Sequence, residues 1–256
     1  MLVDSHCHLN FPELAAQLPA IRQAMIDNQV GHALCVSVTL SDFPQVLALA
    51  ENYPNFYASV GVHPDYEDIE EPTLDGLVTL ANHSKIIAIG ETGLDYFRLT
   101  GDLEWQRERF RTHIKAAIAS NKPLIIHTRN AAEDTIRIMR EENAKSIGGV
   151  MHCFTESLEV ALHAIELGFY ISFSGIVTFK NAIAIKDVAK QVPLNKILIE
   201  TDSPYLAPMP YRGKTNQPSY VKHVAEEIAK LRGVSYEEVA AATTENFFNL
   251  FKYAKH

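Results

Sequence analysis

Eight short apolar segments alternate along the chain with longer stretches in which apolar residues recur at helical spacing. Several of the short segments are apolar almost throughout, which is typical of parallel strands that are covered on both faces. Eight β/α repeats within 256 residues predict an α/β fold, a TIM (β/α)8 barrel built as a single domain over residues 1–256. The predicted strands are residues 2–6, 32–38, 56–62, 86–90, 124–127, 149–152, 169–173 and 197–200.

We interpret the helical stretches as elements that pack onto the core. Ser235 and Glu238 form a capping box, which predicts a final helix over residues 236–251. A doubly wound open sheet is the alternative architecture for the same alternation. The barrel is favoured because polar residues close strands along the whole chain, and a ring of strand ends would bring them together at the active-site face.

The first predicted strand carries ionisable side chains at every second position. In an extended strand, Asp4, His6 and His8 would face one side, whereas Ser5, Cys7 and Leu9 would face the other. Three ionisable groups on one face are costly to bury unless something pairs with them. That face is therefore either solvated or holds a cation.

Similar side chains close five later strands at their C-terminal edges. They are His63 in VGVHP, Glu91 in AIGETGLD, His127 in LIIHTR, His152 in GVMHCF and Asp202 in LIETDSPYL. Taken singly, such a histidine is more often a hydrogen-bonded structural residue than a ligand. Their joint placement favours a metal site, because imidazole nitrogens and carboxylate oxygens bind Zn, Mn, Fe or Ni, and carboxylates also suit Mg.

The predicted ligands exceed the number that one catalytic zinc requires. Two ions about 3.5–4 Å apart can share a bridging carboxylate and a bridging hydroxide, and Glu91 is the natural bridge. His6, His8 and Asp202 would serve one ion, because strands one and eight are neighbours in a closed barrel. The other ion would be held by His127 and His152. Cys7 and Cys153 lie beside predicted ligands in the sequence, but we expect them to point to the opposite face as small packed residues. The predicted reaction is metal-assisted hydrolysis, in which Asp202 accepts a proton from the attacking water.

Charge and cysteine content limit the possible partners and compartment. A net charge of −8 and a pI of about 5.8 argue against a broad basic surface for duplex DNA, so contact with a nucleic acid would be local. Three cysteines without a CxxC pair fit a reducing compartment. With neither a signal-peptide pattern nor a long apolar run, we expect a cytoplasmic protein without a membrane partner.

Several segments, read in order from Asp4 to about Pro218, resemble the TatD family of metal-dependent deoxyribonucleases. They are DSHCHL, GVHP, IGETGLDY, HTR, HCF, SGIVTFKNA and ETDSPYLAP-x-P-YRGK-x-N-x-P. The resemblance implies a TIM barrel of the amidohydrolase-like superfamily. It also implies a cytoplasmic nuclease that cleaves DNA with Mg, Mn or Zn, including 3′-to-5′ exonuclease action on single-stranded ends. We expect a monomer.

The resemblance also implies individual roles. It places His6, His8 and Asp202 on the first ion, Glu91 as the bridge, and His127 and His152 on the second ion. Asp202 would also transfer a proton, and His63 would contact a substrate phosphate. Among the basic groups near the predicted mouth, Arg129 and Arg212 are the preferred phosphate contacts, because each follows a ligand strand within a family motif. The other basic candidates are Arg98, Lys180 and Lys214, and Tyr96 and Phe97 are candidates for stacking on a base.

Two departures from the family pattern bear on substrate preference and touch no predicted ligand. Asn130 follows HTR where the family has Asp, and Thr155-Glu156 follows HCF where a small hydroxyl residue and Gly are expected. One alternative function is an amidohydrolase for a small cyclic amide or ester. Many such barrels bridge their ions with a carboxylated lysine on strand four, whereas this strand ends in Glu91 and begins at Lys85. A barrel without catalysis is the other alternative, but such a protein should have lost ligands.

Overall fold

The computed structural model describes residues 1–255, and its eight strands form one parallel sheet in sequential order. The strands are β1 (Leu2–Cys7), β2 (Val30–Cys35), β3 (Phe56–Val60), β4 (Ile86–Asp95), β5 (Leu124–Arg129), β6 (Gly149–Met151), β7 (Phe169–Phe173) and β8 (Ile197–Ile199). Backbone hydrogen bonds join the two ends of the sheet: His8 donates to the carbonyl of Ser203, and Asp202 donates to that of His6, both at 2.9 Å. The predicted TIM barrel is confirmed.

Helices cover the outside of the barrel. They are α1 (Pro12–Ala15), α2 (Leu18–Asp27), α3 (Phe43–Asn52), α4 (Leu74–Ala81), α5 (Glu104–Ser120), α6 (Ala132–Glu141), α7 (Leu158–Glu166), α8 (Ile183–Gln191), α9 (Val221–Arg232) and α10 (Tyr236–Leu250). The predicted capping box is confirmed, since Ser235 Oγ accepts from the amide of Glu238 at the start of α10. No helix within residues 1–255 combines the length and hydropathy needed to cross a membrane.

Helix α10 closes the N-terminal end of the barrel. Its Phe247, together with Phe251 just after the helix, is fully buried against interior strand residues such as Val3 and Leu34. Asn246 Nδ2 donates to the carbonyl of Ile197, which ties the same helix to the start of β8. Burying each phenylalanine stabilises the fold by about 1.5–3 kcal/mol. The barrel therefore opens to solvent at its C-terminal end.

The side chains of β1 do not follow simple alternation. Ser5 Oγ lies 3.3 Å from Ser172 Oγ across the barrel interior, so the prediction that Ser5 faces away from His6 is wrong. A register shift between Asp4 and Cys7 against β2 explains the difference. Asp4 accepts hydrogen bonds from the amide and hydroxyl of Thr201, at 2.8 and 2.6 Å, and thereby joins β1 to the segment after β8.

Candidate metal centre

The carboxylate of Glu91 lies at the centre of a ring of imidazoles at the open end of the barrel. It belongs to β4, which continues to Asp95 rather than stopping at Gly90 as predicted, and the residue is 3% exposed. Its Oε2 is 3.3 Å from His6 Nε2 and 4.0 Å from His8 Nε2. Asp202 Oδ1 lies 3.4 Å from the same His8 nitrogen and 3.7 Å from that of His6. These four residues form the first cluster.

The other carboxylate oxygen faces a second cluster. Glu91 Oε1 is 2.7 Å from His152 Nε2, and it is 3.3 Å from both His127 Nδ1 and His63 Nε2. The structure therefore brings all six predicted metal ligands together around one carboxylate. It also brings His63 as close to Glu91 as His127, which gives His63 a geometry suited to ligation as well as to its predicted phosphate contact.

The residues present fit a divalent cation. His6 Nε2 and His8 Nε2 face each other at 3.3 Å, and the buried Nε2 of His152, although it is 2.7 Å from Glu91 Oε1, makes no hydrogen bond of normal geometry within the described chain. A cation placed among these atoms would be bound by imidazole nitrogens and carboxylate oxygens that already converge on one point. The donor set contains nitrogen and oxygen without sulfur, which suits Zn or Mn and, through the carboxylates, Mg.

Three imidazoles are oriented by hydrogen bonds to the nitrogen that faces away from Glu91. His8 Nδ1 donates to the carbonyl of Val36 at 3.1 Å. The corresponding partners of His127 and His152 are Asp95 Oδ2, at 3.0 Å, and Glu200 Oε1, at 3.2 Å. Such partners select the nitrogen that meets a metal and raise its basicity. The motifs predicted no role for Asp95, which ends GETGLD, or for Glu200, which begins ETD.

The charges of the cluster favour a cation at its centre. Burial by itself would raise the pKa of Glu91, but interactions with His152, His63 and His6 lower that pKa well below its usual range. Burial lowers the pKa of His63, yet Glu91 and Asp65 raise it to about 9. Burial also lowers the pKa of His152, but Glu91 and Glu200 raise it well above its usual range. The buried carboxylates therefore favour positive charge at this place, which a bound metal would supply.

Helix α5 fixes the backbone that carries these groups. Three of its buried polar side chains bond to the ends of β3 and β4: Gln106 Oε1 accepts from the amide of Asp95 at 2.8 Å, Arg109 Nη1 donates to the carbonyl of His63 at 3.2 Å, and His113 Nε2 accepts from the amide of Val62 at 3.0 Å. Satisfied polar networks of this kind rigidify their surroundings. The positions of His63 and Asp95 therefore depend on a helix outside the barrel.

A cavity of about 550 Å³ lies above the cluster, with His8, Glu91 and Asp202 in its lining. Cys153 also lines this cavity, so the prediction that it points away from the ligands is wrong; its Sγ is 3.2 Å from Ser174 Oγ. The amide of Cys153 donates to Glu200, and its backbone has a positive φ of 41°, which turns the chain just after β6.

The two arginines predicted to contact phosphate have the same local geometry. Arg129 lines the cavity and lies 3.8 Å over the ring of Phe97, which is 58% exposed. Arg212, on the loop after β8, lies 3.8 Å over the ring of Phe179, which is on the loop after β7. Arg212 is outside the cavity lining. Stacking on an aromatic face holds a guanidinium in place while its N–H donors stay free.

The remaining predicted candidates occupy different surroundings. Arg98 lines the cavity and pairs with Asp65 at 2.7 Å. Tyr96 hydrogen-bonds Asp134 through its hydroxyl at 2.7 Å, which commits the ring to packing beneath the loop. Glu156 lies near His127, and burial raises its pKa.

Comparison with known proteins agrees with this geometry. The family model described as TatD related DNase matches residues 3–252. The uncharacterized metal-dependent hydrolase YabD of Bacillus subtilis (strain 168) is 44% identical over 253 residues, covering 98% of this chain and 99% of that protein. The uncharacterized metal-dependent hydrolase YcfH of Escherichia coli (strain K12) is 46% identical over 257 residues, covering 98% and 95%.

A solved structure shows the same likeness in three dimensions. The crystal structure of YjjV, a TatD homologue from Escherichia coli K12, matches with a TM-score of 0.91 at 31% identity, and the match covers 98% of both chains. The chain belongs to the TatD family and is a metal-dependent hydrolase of that family.

Proposed function

We propose that the protein is a deoxyribonuclease that hydrolyses phosphodiester bonds at the 3′ ends of single-stranded DNA with two divalent ions. The observation that carries the proposal is the carboxylate of Glu91, whose Oε2 faces His6 while its Oε1 faces His127 and His152. A carboxylate placed between two imidazole clusters suits a bridge between two cations. Mg, Mn and Zn are the candidates.

The proposed chemistry divides between the ions and the side chains. Two bound divalent cations would supply hydroxide near neutral pH and would neutralise charge that develops on the phosphate. Asp202 has a side chain that is 15% exposed and lines the cavity, so its carboxylate can accept a proton from water there. Arg129 would donate to a non-bridging phosphate oxygen, and His63 would contact the same phosphate from the opposite side of Glu91.

The environment of strand four disfavours an amidohydrolase that uses a carboxylated lysine. Lys85 precedes β4 at the closed end of the barrel, where its Nζ donates to the carbonyls of Tyr53 and Phe56, both at 3.1 Å. It therefore lies at the end of the strand opposite to Glu91. Hydrolysis of a small cyclic amide or ester remains a competing outcome of the assay below.

We also propose that the protein acts as a monomer in the cytoplasm. One chain supplies every side chain of the candidate centre. Cys7, Cys35 and Cys153 are free thiols, which suits a reducing compartment. Size-exclusion chromatography with light scattering measures the oligomeric state.

The test is an assay on single- and double-stranded DNA labelled at the 5′ or the 3′ end, with Mg, Mn or Zn added. We expect a ladder that shortens from the 3′ end of the single strand, loss of activity with a chelator and recovery when the ion is restored. Activity in a metal-free preparation would overturn the metal mechanism. Turnover of cyclic amides without cleavage of any DNA would overturn the assignment as a nuclease.

A further inference from the structure

One side of the cavity mouth is acidic. The loop between β3 and α4, residues 61–73, carries five carboxylates and no Lys or Arg. Two of the five are paired: Asp65 with His63 and Arg98, and Glu71 with Arg109. The other three form an exposed group that we term the acidic rim: Glu67, Asp68 and Glu70.

The loops after β7 and β8 form a basic side. Residues 174–182 and 203–220 contain Lys180, Arg212 and Lys214 and no Asp or Glu, and all three cations are solvent-accessible. Within residues 1–255 none of these cations pairs with a carboxylate: Arg212 lies over Phe179, and Lys214 lies 5.8 Å from the centre of the Tyr211 ring. Their charges are therefore available to an anion.

The two basic loops are joined into one surface that reaches the cavity. Asn216 Nδ2 donates to the carbonyls of Thr201 and Tyr205, at 2.8 and 2.6 Å, which closes the loop after β8 on itself. Thr178 Oγ1 accepts from the amide of Met209 at 2.9 Å, which links this loop to the one after β7. Tyr205 lines the cavity and is 53% exposed. We term Lys180, Tyr205, Arg212 and Lys214 the basic track.

Strand order separates these two charged regions around the mouth. In a ring of eight sequential strands, β3 lies four positions from β7 and three from β8. The candidate centre lies between them, since Glu91 is on β4 and Asp202 follows β8. A polyanion that enters the cavity is attracted on one side and repelled on the other.

We propose that a single-stranded DNA leaves the cavity along the basic track and that the acidic rim prevents the strand from continuing across the mouth. Arg212 and Lys214 bind phosphates upstream of the cleaved bond, and a base stacks on Tyr205. The acidic rim thus makes a strand end the preferred substrate. This inference rests on the proposed nuclease function and adds to it a direction and a reason for end selection.

The first experiment compares a polymer with a small ester. For Arg212→Gln combined with Lys214→Gln, we measure kcat/KM on an oligothymidylate of about 20 nucleotides and on bis(p-nitrophenyl) phosphate. We expect the ratio of the oligonucleotide value to the small-ester value to fall about 10-fold. The slope of log kcat/KM for the oligonucleotide against log salt concentration should become shallower by about 1.4, because two phosphate contacts are lost. An unchanged ratio in a folded double variant would overturn the track.

The matched control removes the same two charges elsewhere. Lys145 precedes β6 and Lys230 lies in the last turn of α9; both are exposed and distant from the mouth along the barrel axis. Lys145→Gln combined with Lys230→Gln should leave the ratio within about 2-fold of wild type, since bulk charge acts weakly beyond a Debye length. An equal loss in the control would also overturn the track.

The second experiment tests end selection. The wild-type protein should cut a linear single strand much faster than a closed circular one. The triple variant Glu67→Gln, Asp68→Asn and Glu70→Gln should reduce the ratio of these two rates at least about 5-fold, because it removes the repulsion between the acidic rim and the DNA phosphates. Asn tolerates the positive φ of 50° at residue 68. Equal rates on linear and circular strands in the wild type would overturn the proposed role of the acidic rim in end selection. If the wild type cleaves no DNA at all, the proposed function fails first.

Discussion

Oδ2 of Asp95 lies 3.0 Å from Nε2 of His127, and this contact leaves Nδ1 of the same ring facing Glu91 Oε1 at 3.3 Å. Burial would raise the pKa of Asp95, but His127 and the amides of Arg98 and Phe97 lower it to about 2. Asp95 is therefore ionised at neutral pH, and it orients an imidazole without entering the ring of ligand atoms itself.

The substitution Asp95→Asn should weaken metal binding by about 10- to 100-fold, because the imidazole loses a charged acceptor that sets its orientation and basicity. The oxygen of the substituted amide can still accept from the backbone amides of Phe97 and Arg98, so we expect the loop to stay folded. Competition with a chromophoric chelator measures the affinity. Asp134→Asn, which removes a carboxylate bonded to Tyr96 and Arg137, is the matched control. Equal affinities in the two variants would contradict this role for Asp95.

The substitution Asp202→Asn should lower kcat by about 10²- to 10⁴-fold, since the amide cannot accept a proton from water. Asp202 has a positive φ of 56°, a conformation that Asn also adopts readily, so the melting temperature should change little. Steady-state assays at full metal occupancy measure the effect. Near-normal turnover would remove Asp202 from proton transfer.

The substitution Glu91→Gln should reduce the metal content from two ions per chain to one or none. The neutral amide offers a single oxygen as a ligand. Its NH₂ group would point toward imidazoles that face a carboxylate oxygen in the wild type. Mass spectrometry of the metals after dialysis gives the stoichiometry. Two retained ions would show that Glu91 is not the bridge.

The imidazole of His113 should make stability fall below neutral pH. Burial lowers its pKa to about 4, whereas the unfolded chain titrates near 6.5. Between these values the unfolded state binds the extra proton, so the stabilising contribution is complete above pH 6.5 and is lost as pH falls toward 4. In urea titrations of the chelated protein between pH 7 and pH 5, the free energy of unfolding should fall by about 2 kcal/mol less in His113→Gln than in wild type. Equal decreases in the two proteins would show that His113 does not cause this pH dependence.

Local sequence pattern predicts much of the fold and of the candidate site. Apolar runs of strand length mark every β-strand, and the Ser235–Glu238 capping box locates the start of α10, because both signals depend on neighbours close in the chain. The same runs predict which side chains meet at the mouth. Barrel closure brings the C-terminal ends of all strands to one face, so His6 and Asp202 become neighbours although one lies near the end of the first strand and the other follows the last.

Other features depend on contacts that no local pattern encodes. Which nitrogen of His127 faces Glu91 follows from Asp95, and the orientation of His152 follows from Glu200. A register shift in β1 brings Ser5 and His6 to the same side, and a positive φ turns Cys153 into the cavity, both against simple alternation.

The chain by itself therefore determined the barrel and the set of groups at its mouth, because burial and periodicity are properties of each segment. Only the tertiary structure decided the orientation of each imidazole and the separation of the acidic rim from the basic track. Hydrogen bonds between distant segments and the circular order of the strands set those relationships.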